Sequence, residues 1–210
     1  MKVTLIQQTL NPVNFIAKIA STCYDSDPAN PAGMVKHLYR NGHHSVFEHV
    51  VFTFQIEGIS RACSHQLVRH RHTSPTQRSQ RYCAEDNFEV VAPESVAGLQ
   101  AFWDVIEAAN DAYYALTKKH GVPNEDARAV LPNACATKMV VTLNLRELIH
   151  FCNFRCCARA QKEIRDLAYA MRAAVPEALR WMLVPKCLAP YYNCLEKRTE
   201  ACNLVKEKFN

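Results

Sequence analysis

Residues 50–56, VVFTFQI, alternate between two kinds of side chain and decide the fold class of this chain. Val50, Phe52, Phe54 and Ile56 share one face, and the side chains between them share the other. Because the side chains of a β-strand point alternately to opposite sides, this pattern predicts a strand with one buried face. Such a strand needs a covering layer on its apolar side.

Helical and strand patterns follow one another on both sides of this stretch. Helices are predicted at 13–24, 31–40, 60–70, 93–120, 159–174 and 176–183, and further strands at 3–5, 88–91 and 137–143. Pro75 restricts the residue before it to extended geometry, so 73–81 is predicted to be a loop. No repeat or linker divides the chain. We therefore expect one α+β domain with an antiparallel or mixed sheet covered by several helices.

The composition is that of an ordinary globular chain. Its 210 residues are 49% hydrophobic and 21% charged, with a formal net charge of +5. The N-terminus reaches Gln7 and Gln8 too early for a signal peptide, and no apolar stretch approaches the ~18 residues of a spanning helix. These features favour a cytoplasmic protein with free thiols and no membrane partner. The dispersed glycines form no phosphate-binding loop, so side chains must hold any phosphate.

Residues 58–84 carry no Asp or Glu and give the clearest functional signal. The cationic and imidazole groups in this segment are Arg61, His65, Arg69, His70, Arg71, His72, Arg78 and Arg81. A solvated basic surface usually mixes both signs of charge, so the absence of acids favours an anion-binding site. Planar guanidinium groups match phosphate, and the Ser, Thr and Gln side chains among them add neutral hydrogen bonds. The segment predicts a phosphorylated small molecule or a nucleic acid as ligand.

A second informative segment is TLNLRELIHFCNFR, residues 142–155. Asn144 is predicted to cap a helix, with Glu147 returning the bond. Leu145, Leu148, Ile149 and Cys152 then form an apolar face, beside a polar stripe of Arg146, His150 and Asn153 suited to a cofactor ring. Arg155 follows Arg146 by nine residues, nearly opposite on a straight helix. It shares that site only if the helix ends or bends near Phe154.

Together these segments resemble the flavin-dependent thymidylate synthases. The family signature, RHR followed by seven residues and Ser, is present as Arg69-His70-Arg71 and Ser79, and its extension matches at Ser74, Arg81 and Tyr82. Matching segments are also found at 42–49, 121–123, 127–132, 144–155 and 160–164. Residues 1–184 are thus expected to form the family's domain, and 185–210 a C-terminal tail of unknown role.

The resemblance implies an enzyme that methylates dUMP to dTMP. It implies 5,10-methylenetetrahydrofolate as carbon donor, FAD as redox carrier, NADPH as reductant and no cysteine nucleophile. Positions matching FAD contacts are Ser45, Arg69, His70, Arg71, Gln77, Asn144, Leu145, Arg146 and His150. Positions matching dUMP contacts are Gln66, Arg69, Gln77, Arg78, Ser79, Gln80, Arg81, Arg128 and Arg155. Arg155 matches the residue that stabilises negative charge on the uracil.

The resemblance further implies a homotetramer whose sites combine residues of different subunits. Arg69, Arg146 and Arg155 then need not come from one chain, and their conflicting helical positions are explained. The sequence departs from the family at Thr76, commonly Asn, and at Gln77, commonly Glu. At these two positions a contact is expected to lose charge or reach.

Two other functions are compatible with the residues alone. An RNA-binding module would use the basic segment, but only Tyr82 at its edge offers base stacking, so no nucleic-acid partner is expected. A flavoprotein that reduces another nucleotide is separated from the synthase only by its product. No metal is expected: Cys152, Cys156 and Cys157 lack a paired CxxC, and Cys187, Cys194 and Cys202 lack a fourth ligand.

Overall fold

A four-stranded sheet forms the centre of the computed structural model, which describes residues 1–23, 25, 28–196 and 199–209. The strands are β1 (Lys2–Gln8), β2 (Val51–Ser60), β3 (Thr73–Gln77) and β4 (Ala136–Asn144). Their order is β1-β2-β4-β3, and each neighbouring pair is antiparallel. The predicted α+β class is confirmed, with an antiparallel sheet.

Helices fill the connections between the strands. They are α1 (Pro12–Ser21), α2 (Pro31–Arg40), α3 (Arg61–Leu67), α4 (Gln100–Tyr114), α5 (Asn124–Ala127), α6 (Leu145–Arg155), α7 (Lys162–Ala174), α8 (Glu177–Arg180) and α9 (Glu200–Glu207). Short 3₁₀ turns occupy Ser45–His49 and Arg128–Val130, and α4 continues into a π-helical turn at Ala115–Lys119. Among the described residues, no helix is long and apolar enough to cross a membrane.

The core lies on the apolar face of β2. Phe52, Phe54 and Ile56 are fully buried, as the alternation predicts. Val141 and Leu143 of β4 join them, and α6 and α7 supply the covering side chains. Each fully buried large apolar side chain contributes roughly 1.5–3 kcal/mol. This core fixes α6 against the sheet and thereby fixes the site described below.

The predicted loop at 73–81 is wrong over its first half. Thr73–Gln77 form β3, which pairs with β4 from Thr73 opposite Leu143 to Gln77 opposite Met139. Proline cannot donate a ladder hydrogen bond, but β3 lies at the sheet edge, where Pro75 is tolerated. Pro75 correctly excludes a helix at this position, but a proline does not distinguish a loop from an edge strand.

Several predicted boundaries also differ. The helix predicted at 93–120 begins at Gln100, because 93–99 form turns in which the Val96 and Ala97 N–H groups donate to the Pro93 carbonyl. The strand predicted at 88–91 is reduced to one bridge between Val90 and Cys135. The helix predicted at 60–70 ends at residue 67, the one predicted at 159–174 begins at 162, and the one predicted at 176–183 is confined to 177–180. The first helix ends at residue 21, and Tyr24 lies outside the described residues.

Candidate active site

A large cavity of about 890 Å³ lies where the segment after α3 meets α6 and the start of the tail. Its cationic lining groups are Arg69, Arg71, Arg146, Arg155, Arg159 and Lys186, and its carboxylates are Glu48, Glu147 and Glu196. Six cations against three carboxylates leave a net excess of three positive charges. A cavity of this size and sign suits an organic ligand that carries phosphates.

The carboxylates of the cavity are all engaged. Glu48 pairs with Arg146, and Glu196 pairs with Arg159 at 2.7 Å and Lys186 at 2.6 Å. Within the described part of the chain, Arg69 and Arg71 have no carboxylate partner and are exposed. Their charge is therefore available to an anionic ligand.

His70 is the centre of a hydrogen-bonded chain on one wall of the cavity. Arg155 Nε donates to His70 Nε2 at 3.1 Å, and His70 Nδ1 lies 3.1 Å from Glu147 Oε1. A guanidinium group only donates, so Nε2 accepts and the ring proton on Nδ1 is donated to Glu147. His70 and Glu147 are both buried. These hydrogen bonds therefore fix the orientation of the Arg155 guanidinium, whose Nη2 also donates to the Gln66 carbonyl at 3.5 Å.

The N-terminus of α6 explains the position of Glu147. As predicted, the Asn144 side chain caps the helix by accepting from the Glu147 N–H at 2.9 Å. The predicted return bond from the Glu147 side chain is absent from the described contacts, because that carboxylate bonds to His70 instead. The apolar face of Leu145, Leu148, Ile149 and Cys152 is buried as predicted.

Arg155 shares its cavity with Arg69 and Arg146 in one chain. Arg155 is the last residue of α6, and its long side chain reaches His70 and the Gln66 carbonyl of α3. The argument that helical positions place these arginines in different subunits is therefore wrong. Asn153, predicted on the same polar stripe, is buried and donates to the Tyr191 hydroxyl at 3.0 Å.

Burial shifts the pKa of two of the ionisable groups of α6 that line the cavity, those of His150 and Arg155. Burial lowers the pKa of His150, and the Glu147 carboxylate opposes this shift. Burial also lowers the pKa of Arg155. His70, Glu147 and His150 bring ligand atoms within 4.8 Å of one another, as a metal site would. Both ring nitrogens of His70 are already bonded, to Glu147 and to Arg155, and the His150 ring lies edge-on to His70 with the ring centroids 5.7 Å apart.

Three predicted FAD-binding residues lie away from this cavity. Ser45 is exposed on its 3₁₀ turn, and the Leu145 side chain is fully buried in the core. Gln77 on β3 donates to Ser64 Oγ at 2.9 Å and lies 3.3 Å from Thr137 Oγ1. Gln66, predicted to bind dUMP, donates to the Gln161 side chain.

The remaining predicted dUMP-binding residues form a second group beyond β3. Arg81 pairs with Glu125 at 2.8 Å, and Arg128 Nε donates to the Glu125 carbonyl at 3.0 Å. Arg78 pairs with Glu85, Ser79 Oγ accepts from the Arg81 N–H at 3.2 Å, and Gln80 contacts the Cys135 sulfur. None of this group lines the large cavity.

The sequence did not single out several residues of the cavity. The local pattern identifies Glu147 only as part of a helix cap, and it gives no site role to four other lining residues, Glu48, Phe154, Arg159 and Lys186. Glu48 and Arg159 lie in or beside segments that match the family, which was a usable signal. Lys186 lies in the tail, where no motif points to the site.

The fold and the cavity define an α+β protein whose cationic site, built largely from an acid-free arginine segment, suits an organic ligand that carries phosphates. The family model described as "Thymidylate synthase complementing protein" matches residues 4–179. The flavin-dependent thymidylate synthase of Geobacter sulfurreducens is 48% identical over 187 aligned residues, 81% of this chain and 80% of that one. That of Pyrococcus furiosus is 41% identical, over 99% of this chain and 98% of that one.

A solved structure supports the same relationship. The crystal structure of thymidylate synthase X from Helicobacter pylori with FAD and dUMP has a TM-score of 0.74 to this chain at 25% identity, covering 90% of this chain and 99% of that one. The chain belongs to the flavin-dependent thymidylate synthase family. It is accordingly an enzyme of the methyltransferase type.

Proposed function

We propose that this chain converts dUMP to dTMP with 5,10-methylenetetrahydrofolate as carbon donor, FAD as redox carrier and NADPH as reductant. The observation that carries the proposal is the cavity in which His70 and Glu147 fix Arg155 beside Arg69 and Arg71, whose charges have no carboxylate partner in the part of the chain that the structure describes. Family membership and the FAD and dUMP in the related Helicobacter pylori structure support it.

The cavity fits a flavin dinucleotide in charge and lining. Arg69 and Arg71, which lack carboxylate partners among the described residues, would bind its diphosphate, and His70 and His150 would line its ring. Guanidinium groups replace the glycine-rich loop that this chain lacks. FAD, when bound, supplies the hydride for the reduction.

Arg155 is the proposed catalytic residue. Hydride addition at C6 of the uracil moves negative charge towards the C4 carbonyl and N3, and a preorganised guanidinium stabilises that charge. The His70 nitrogen holds Arg155 without neutralising it, because an imidazole acceptor carries no negative charge. Cysteine has no part in this chemistry.

We also propose that the protein is a homotetramer with composite sites. The predicted dUMP-binding residues divide into Arg69 and Arg155 at the cavity and a second group that includes Arg81 and Arg128 around Glu125. In one chain, Arg81 and Arg128 do not line the large cavity. If both bind the same nucleotide, the second group comes from a neighbouring subunit. A cytoplasmic location accords with the ten free cysteines.

A visible spectrum followed by a product assay tests the proposed function. We expect purified protein to show flavin absorption, or to acquire it on addition of FAD, and to form dTMP only when dUMP, methylenetetrahydrofolate and NADPH are all present. Protein that binds no flavin at high FAD concentration would refute the cofactor assignment. Flavin oxidation by a nucleotide without dTMP formation would instead indicate a different reductase.

A further inference from the structure

Four cysteines from distant parts of the chain surround one small cavity beside the large cavity proposed above for FAD, here called the flavin cavity. Cys157 follows α6, Cys187 and Cys194 lie between α8 and α9, and Cys202 lies in α9. All four line a cavity of about 20 Å³, which has room for about one water molecule or ion. The fold thus supplies, in Cys157, the fourth thiol that the tail cysteines lack in the sequence.

Filling of the hydrophobic core does not explain why these four cysteines converge. Cys63, Cys135, Cys152 and Cys156 are completely buried and act as small apolar side chains. The four cysteines at the small cavity are half-buried free thiols instead. Four convergent thiols are the donor set of structural zinc sites and of iron–sulfur clusters.

The surroundings suit a centre that carries negative charge. A metal ion bound by four thiolates has an excess of negative charge, and Lys206 and Arg159 line the same cavity. Glu196, the carboxylate in the same lining, pairs with Arg159 and with Lys186. Two cations therefore lie beside the four thiols.

We propose that Cys157, Cys187, Cys194 and Cys202 bind one metal centre through four thiolates. On binding, the four thiols release four protons to solvent and the sulfur lone pairs bond to the metal, without oxidation or reduction. The size of the cavity suits a single zinc ion. No three of these sulfurs, all in described residues, lie within 4.8 Å of one another, whereas Zn–S bonds of ~2.3 Å place them about 3.8 Å apart, so binding of a single ion would draw the four thiolates together.

Such a centre would join the tail to the wall of the flavin cavity. Cys157 lines both cavities, and Arg159 and Glu196 do the same. The other end of the tail is held independently, since Phe209 packs against Tyr169 and Arg172 of α7. A variant that loses one thiolate is therefore expected to keep its fold.

Metal and sulfide analysis of the full chain tests the proposal. The protein is purified without oxygen and without a metal-affinity step, in wild-type form and as Cys157→Ser, Cys202→Ser and the control Cys23→Ser, whose thiol is exposed and outside the cluster. We expect one centre per chain in wild type and the control, and at least about tenfold weaker metal retention in the other two. Circular dichroism and flavin content confirm that the variants are folded.

The arms of the experiment distinguish the two metals. One zinc per chain without sulfide identifies a single ion, whereas iron with acid-labile sulfide identifies a cluster. Either result, with loss in both variants, supports the four-thiolate site. The proposal is overturned if wild type holds no metal even after anaerobic reconstitution, if both variants keep the wild-type metal content, or if mass spectrometry shows disulfides among these four cysteines.

Discussion

Replacing Arg155 by Lys gives the sharpest test of the proposed chemistry. The change keeps a positive charge but loses the planar group whose Nε donates to His70 Nε2 at 3.1 Å. If Arg155 stabilises charge on the uracil, losing this preorganised donor costs roughly 2.7–4 kcal/mol in the barrier, about 100- to 1000-fold in rate. If Arg155 only holds the wall together, one ordinary hydrogen bond is lost, and the cost is about 0.5–1.5 kcal/mol, or about tenfold at most.

Single-turnover oxidation of the reduced flavin by dUMP and methylenetetrahydrofolate measures this difference. We expect the rate to fall at least about 100-fold in Arg155→Lys while dUMP affinity falls much less. Arg180→Lys is the matched control, because Arg180 is also half-buried and donates to the carbonyls of Val175 and Ala173, both at 2.8 Å, away from the cavity. A fall of less than about tenfold in Arg155→Lys would refute the catalytic role.

Ser79→Ala provides the opposite expectation in the same assay. Ser79 Oγ accepts from the Arg81 N–H, and among the described contacts no histidine or carboxylate bonds to this hydroxyl to activate it. A serine nucleophile needs such a base. We expect weaker dUMP binding but measurable flavin oxidation. Complete loss of flavin oxidation with both ligands still bound would make Ser79 the nucleophile instead.

Three further predictions concern assembly and stability. Arg81→Ala and Arg155→Ala proteins should each be nearly inactive. If the two residues meet across subunits, mixing the two variants should restore part of the activity. No rescue in mixed tetramers verified by mass would contradict composite sites. Glu163→Ala should lower the free energy of unfolding by about 1.5–3 kcal/mol in urea titration, because the carboxylate accepts from the Ser60 N–H and Oγ–H, both at 2.6 Å. Burial lowers the pKa of His44, so acidification below the ordinary value of 6.5 protonates the unfolded state more readily and destabilises the fold. The urea concentration at the unfolding midpoint should therefore fall between about pH 7.5 and about pH 5.5, and His44→Gln should make this fall smaller. An equal fall in wild type and variant would refute this role of His44.

The sequence predicted those features that local patterns determine. The alternation at 50–56 gave the buried face of β2, and the cap at Asn144 gave the start of α6. Both depend on residues a few positions apart. The pairing of Thr73–Gln77 with β4 depends on a partner more than sixty residues away, and no local signal shows that an extended, proline-containing segment has one.

The site divides in the same way. The acid-free arginine segment and α6 were recognisable separately, but their geometry was not: a straight-helix projection placed Arg155 opposite Arg146, whereas the end of α6 lets both line one cavity. The cavity also takes Lys186 from the tail, and Cys157, just after α6, lines a small cavity together with the tail cysteines. Contacts between distant segments decided each of these outcomes.

Glu147 shows where a local rule fails and why this failure matters. Its position at the third residue of α6 favours a bond back to the cap, which would satisfy a helix N–H at little cost. The structure uses this carboxylate to hold buried His70 instead, and His70 in turn holds Arg155. Departures from local preference concentrate at functional sites, where another requirement takes precedence. Asn144 still caps α6, so the helix start gives up only the return bond of Glu147, and the carboxylate orients Arg155 through His70.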